Sequence, residues 1–146
     1  MVISLNTQTS FGIWNIPMRG QNFINAQYAQ KQDLAISSFV NEGILFYNFN
    51  MLESVIKDNL EENPIIIFCS LLQLSDISEK RKASFLNFFS KFELHFALEL
   101  ISGKGIQFLE DIVFQASYFS RVERIDVNVD TYENFYKKYK NSTDYL

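Results

Sequence analysis

The stretch that decides the fold is "PIIIFCS", Pro64 to Ser70. From Ile65 to Cys69 every position is apolar, and three of the five are β-branched isoleucine. A half-exposed strand would alternate polar with apolar, and a surface helix would repeat every three to four residues. An unbroken run this short needs cover on both faces, which is the environment of a central parallel strand between helical layers. It is also far too short to cross a bilayer, which takes about 20 apolar residues, so no membrane partner is expected.

Working outward, both flanks read as helices. Upstream, "NMLESVIKDNLEE" (50–62) places Met51, Leu52, Val55, Ile56 and Leu60 on one face. Asn50 and Glu53 form an N-terminal capping pattern, and Asn63-Pro64 ends the helix because the residue before proline is driven out of the helical region. Downstream, "SDISEKRKASFLNFFSKF" (75–92) repeats the pattern, with Asp76 and Glu79 as its cap and Phe85, Leu86 and Phe89 as its stripe. "LHFALELI" (94–101) follows as a second interior strand, and "GIQFLEDIVFQASYF" (105–119) as a helix with Leu109, Ile112, Val113 and Ala116 inward. "VERIDVNV" alternates as an edge strand and "DTYENFYKKYK" as a closing amphipathic helix, about 121–141 together.

Toward the start of the chain, "MVISLN" predicts a first strand and "TQTSFGIWNIPMRG" (7–20) a polar loop broken by Gly12, Pro17 and Gly20. "QNFINAQYAQKQ" (21–32) has good helix formers but only a weak apolar stripe. "LAISSFV" fits a strand, and "NEGILFYNFN" an aromatic-rich loop. Strands alternating with helices imply right-handed βαβ units. The expected fold is therefore a single α/β domain over 1–146, three-layered and flavodoxin-like, with a mostly parallel sheet of about five strands.

Composition excludes several functions. With 47% hydrophobic residues the chain is not of the disordered class, and a net charge of −4 without a Lys or Arg run disfavours nucleic acid. One cysteine, Cys69, and one histidine, His95, cannot make a disulfide framework or a zinc site of the usual type. No cofactor motif is present, so no cofactor is expected. "MVISLNTQTS" lacks the charged and apolar regions of a signal peptide, and a cytoplasmic location is expected.

In a doubly wound sheet, ligands sit outside the carboxyl ends of the strands, near the switch in strand order. The loops there carry Asn6, Thr7, Gln21, Asn22, Glu42, Ser70, Gln73, Glu99 and Lys104, and Arg81 lies one turn into the following helix. On a regular strand His95, Ala97 and Glu99 share one face, with His95 and Glu99 roughly 13 Å apart. His95 is therefore early in its strand and Glu99 at the ligand end. His95 has two readings, a buried histidine satisfied by neighbours or the acid partner of a site; its ordinary pKa suits the second. Ser70 follows a strand, where a nucleophile could stand, but no Gly-x-Ser-x-Gly elbow surrounds it and a turn or capping role fits better. Cys69 continues the apolar run and reads as core. The Gly103-Lys104-Gly105 turn resembles an anion-binding turn, though a simple turn accounts for it.

"IPMRGQN", "MLESVI", "SLLQLSDISEKR" and "LHFALELI" together resemble the sporadic carbohydrate cluster proteins, a small bacterial family of surface-polysaccharide gene clusters. The resemblance covers residues 11 to 101 and rests on Pro17, Gln21, Asn22, Ser70, Gln73, Arg81, His95, Phe96, Ala97 and Glu99. Glu42 joins them when its loop is aligned without a gap back from Met51-Leu52. Ala26 stands where the family has an arginine, and Ser75 where it has a proline. The order of elements is also similar to the serine recombinase catalytic domain, a resolvase-like fold, but the nucleophile segment and arginine cluster of those enzymes are missing.

The resemblance implies a cytosolic protein of surface-carbohydrate synthesis that binds or modifies a sugar or sugar nucleotide. Gln21, Asn22, Ser70, Gln73 and Arg81 would hold the ligand, Glu99 or Glu42 would act as base, and His95 as acid partner. The alternative is a non-catalytic homo-oligomer or an accessory to a sugar-modifying enzyme, suggested by the aromatic loop "ILFYNFN".

Overall fold

The structure, a computed structural model, describes residues 1–8, 16–43 and 48–122. The apolar run forms β3 (Ile65–Phe68), flanked by β1 (Val2–Thr7) on one side and β4 (Glu93–Phe96) on the other. With β2 (Ser38–Glu42) and β5 (Ile101–Gly103) the described residues form a five-stranded sheet of order β2-β1-β3-β4-β5. The first four strands pair in parallel, and β5 returns antiparallel to β4. Three helices connect strands, α1 (Met18–Lys31), α2 (Asn50–Lys57) and α3 (Glu79–Phe89), and α4 (Ile106–Val122) follows β5.

Helices cover both faces, giving a three-layer α/β fold. Ile3, Leu5, Ile66, Phe68, Leu94 and Phe96 pack with Leu52 and Ile56 of α2, Phe85 and Phe89 of α3, and Leu109 and Val113 of α4. Phe68 lies near the middle, stacked on Phe96 with centroids 5.2 Å apart and edge-on to Phe49 at 6.0 Å. On the other face Val2, Ile67 and Ala97 pack with Tyr28 and Ala29 of α1.

The elements depart from the sequence reading at several places. "LHFALELI" is not one strand: β4 stops at Phe96, a turn follows, and Ile101 begins β5. The reversal passes through Leu100 in the left-handed region, φ 57°. No Gly, Asn or Pro marks that turn, so the apolar pattern ran straight through it. α1 starts three residues earlier than expected, because Pro17 occupies its N-cap and fixes the extended entry rather than ending a loop. β2 begins four residues later than "LAISSFV" suggested and ends two later, with Leu34 and Ile36 packing beneath α1's face of the sheet.

The helix expected over 50–62 ends at Lys57, and a 3-10 turn covers Leu60–Glu62. Asn50 does not cap α2. Phe49 is its N-cap residue, in the left-handed region at φ 56°, and its ring is buried in the core. Met51 and Leu60, expected inward, are exposed. α3 is capped by Ser78, whose Oγ accepts from the Arg81 N–H at 3.2 Å, rather than by Asp76. "VERIDVNV" and the closing helix lie outside the described residues.

Two outcomes test this packing. Phe68→Ala should cost about 3–5 kcal/mol of unfolding free energy by urea titration, the range for deleting a fully buried phenylalanine. Leu100 is 76% exposed and left-handed, so Leu100→Gly should raise stability by about 0.5–1 kcal/mol, strain relief exceeding glycine's entropy cost. A loss at Leu100→Gly would mean that its backbone is not strained.

Candidate functional site

Strand order switches between β1 and β3, and a row of buried polar groups crosses the carboxyl ends of the sheet there. Its centre is Thr7, the last residue of β1, whose neighbour in register on β2 is Glu42. β3 pairs with β1 only as far as Leu5↔Phe68, so Thr7 needs other partners on that side. Gln21 of α1 supplies them. Its Oε1 accepts from the Thr7 N–H at 2.9 Å, and its Nε2 donates to the Thr7 carbonyl at 2.8 Å. The same Nε2 donates to the Ile16 carbonyl at 2.8 Å, joining the end of β1 to the entry of α1.

Beyond β3 the chain enters a 3-10 turn, Leu71–Leu74, held by a capping box. Ser70 Oγ accepts from the Leu72 N–H at 3.1 Å, and Gln73 Oε1 accepts from the Ser70 N–H at 3.1 Å. Gln73 Nε2 donates to Thr7 Oγ1 at 3.1 Å and lies 3.5 Å from Gln21 Oε1. Glu99, in the turn after β4, closes the row: Oε2 accepts from Ser70 Oγ at 2.9 Å and Oε1 from the Leu71 N–H at 2.6 Å. Gln21, Ser70, Gln73 and Glu99 thus form one hydrogen-bonded network through Thr7.

Glu42 has a different task. Its Oε1 accepts from the Leu52 N–H at 2.7 Å, supplying the N-terminus of α2 with the acceptor that Asn50 does not provide. Burial pushes both Glu42 and Glu99 above the ordinary carboxylate value, and their backbone N–H bonds reverse only part of the rise. Cys69 is buried between core residues, and burial together with the charge of Glu99 pushes its thiol up to about 12, so it is no nucleophile.

Arg81 does not join the network. Its guanidinium pairs with Glu53, donates from Nε to the Asn48 carbonyl at 2.9 Å and from Nη1 to Ser84 Oγ at 2.8 Å. Asn22 is half-buried, next to Gln21, and makes no hydrogen bond among the described residues. His95 stands apart, below the C-terminal turn of α1. Its Nδ1 is 2.8 Å from the Tyr28 hydroxyl and its Nε2 2.7 Å from Glu93 Oε1, which satisfies both ring nitrogens away from the strand ends. Phe49 was grouped with the aromatic loop but is a core residue; Phe46 and Tyr47 lie outside the described residues.

Tyr28, Asn25 and Glu93 carry no motif that marks them as partners in the sequence. The signal for two of them was present in α1, whose inward stripe of Gln21, Asn25 and Tyr28 is polar. By apolar periodicity alone that stripe is weak, because its inward positions are polar. A separate groove of about 410 Å³ runs between α3 and α4, lined by Lys82, Leu86, Glu110, Val113 and Phe114, and shares no residue with the network. Among the described residues no three His, Cys, Asp or Glu side chains gather as metal ligands.

The carboxylates set a pH signature. A folded-state value above the unfolded one means that the native state holds the proton more tightly, so stability falls as pH rises through that interval. For Glu42 and Glu99 the interval begins near 4.5 and extends upward. Glu53 behaves oppositely: partial burial raises it, but the hydrogen bonds and charges of Lys57 and Arg81 prevail and hold it below 4.5, so its contribution is lost as pH falls below that value. The two windows do not overlap. Glu99→Gln should therefore flatten the decline in urea midpoint above pH 4.5 and leave the acid limb unchanged; an unaltered upper limb would contradict the role given to Glu99.

No family model matches the chain, and no curated protein or solved structure matches it.

Proposed function

We propose that this chain is a cytosolic protein of bacterial surface-carbohydrate synthesis that binds a sugar or sugar nucleotide at the carboxyl ends of β1, β3 and β4. The observation that supports this reading is the polar network at the switch in strand order, in which Gln21 and Gln73 meet Thr7 and Ser70 links Gln73 to Glu99. Gln21, Ser70, Gln73 and Glu99 come from three segments of the chain, Ser70 and Gln73 sharing one turn, and each belongs to the motifs that resemble the sporadic carbohydrate cluster proteins. Amides, hydroxyls and a carboxylate offer both donors and acceptors, which a ligand rich in hydroxyls requires.

The sugar is the part of the ligand that the network suits. Arg81 is engaged by Glu53 and the Asn48 carbonyl, so it offers a diphosphate no free guanidinium. Glu99 is only partly buried and lies beside the Ser70 hydroxyl, which makes it the group best placed to accept a ligand hydroxyl. His95 takes no part, being held by Tyr28 and Glu93. Binding is favoured over catalysis, because both candidate bases already serve as acceptors for backbone N–H groups.

Thermal unfolding with a panel of free monosaccharides and their nucleotide-activated forms tests the reading. A matching ligand well above its Kd should raise Tm by about 2–5 °C, and Glu99→Gln should remove most of that rise. Absence of any shift across the panel would reject it. The accessory or homo-oligomer reading is favoured by one feature, the exposed Leu98, Leu100 and Ile101 at the β4–β5 turn. A dimer in light scattering, with no sugar-dependent shift, would select it.

A further inference from the structure

The groove between α3 and α4 has an apolar floor: Val113 is buried, Leu86 half-buried, and Phe114 stands on the α4 wall 66% exposed. A phenylalanine this open beside an apolar floor marks an interaction surface. The groove also has a direction. α4 starts where α3 ends, the Gly105 N–H donating to the Ser90 carbonyl at 3.1 Å, so the two helices run antiparallel along it. Lys82 therefore stands at the end where α4 finishes, with Ser117, and Glu110 stands at the other end. Lys82 bonds Glu79 of its own helix in an exposed pair of small strength, and Glu110 joins no ion pair among the described residues.

One stretch of the sequence has the matching pattern. In "DTYENFYKKYK" (130–140), wound as a helix, Tyr132, Phe135, Tyr136 and Tyr139 fall on one face. Its acids, Asp130 and Glu133, come first, and its bases, Lys137, Lys138 and Lys140, come last. The stretch lies outside the described residues, and it is joined to the end of α4 at Val122 by residues 123–129. Extended, that link reaches up to about 25 Å. The level of Ser117 is only about 7.5 Å back along α4.

We propose that residues 130–140 dock in this groove antiparallel to α4, with their aromatic face on Leu86, Val113 and Phe114. Seven residues separate Glu133 from Lys140, and seven separate Glu110 from Ser117. Antiparallel docking thus brings Glu133 level with Lys82 and Ser117, and Lys140 level with Glu110. Parallel docking would set the lysines beside Lys82 and the acids beside Glu110. The short tether gives an effective concentration on the order of millimolar, so a modest seat fills from its own chain before a second copy reaches it. The groove shares no residue with the strand-end network, and its role is independent of the sugar reading.

The test is hydrogen–deuterium exchange and cysteine cross-linking on the whole chain. The amides of residues 132–140 should exchange at least about tenfold slower than in unstructured peptide of the same sequence. Phe114→Asp, a change at an exposed position, should abolish that protection and leave the protection of β3 unchanged. With a short bismaleimide, Glu133→Cys paired with Ser117→Cys, and Lys140→Cys paired with Glu110→Cys, should cross-link within one chain. The crossed pairings, Glu133→Cys with Glu110→Cys and Lys140→Cys with Ser117→Cys, should react several-fold slower; Cys69 is buried and stays out of the reaction. Coil-like exchange over 132–140, or protection that Phe114→Asp leaves intact or that vanishes on dilution, would overturn the proposal. So would equal yields in all four pairings, or cross-links that bridge two chains.

Discussion

The rest of the structure depends on β3 having no free side. It is paired along both edges, by β1 and β4, and covered on both faces, by α1 on one and by α2, α3 and α4 on the other. Such a strand gains the most from apolar burial and loses the most from an unpaired backbone group. The five residues Ile65 to Cys69 meet the first condition with composition alone. The second fails where β3 ends before β1 does, and there side chains must replace the missing ladder.

That replacement accounts for the polar residues at the strand ends. Gln21 offers Thr7 an acceptor and a donor in the arrangement a neighbouring strand would have offered. Gln73 and Glu99 offer acceptors to the N–H groups of the turn that follows β3. Glu42 does it for α2. A network that completes backbone hydrogen bonding is well ordered before any ligand arrives, and preorganised polar groups are what specific recognition needs. Both carboxylates remain in this row although desolvation opposes their charge, since each accepts backbone N–H groups that would otherwise be buried unpaired.

Most of the architecture was legible in the sequence, and its failures are local. The run at 65–69 and the caps and stripes around it led to a parallel sheet between helical layers. "LHFALELI" misled because its turn residues Leu98 and Leu100 are apolar though exposed, so the apolar pattern continues past the point where the strand stops. Asn50 looked like a cap because its type and spacing fit, yet Glu42 reaches the same N–H groups from β2. Such a substitution joins residues distant in sequence and leaves no local mark. The site was legible as a set of residue types at strand ends. Their partners were not: Gln21 with Gln73 could be read, while Arg81 with Glu53 and His95 with Tyr28 depend on helix positions that only packing determines.

The Nε2 of Gln21 bonds both the Thr7 and the Ile16 carbonyls, so one side chain grips the two ends of the chain between them. The exit of β1 and the entry of α1 thus hang on a single amide, so a change at Gln21 would loosen both at once.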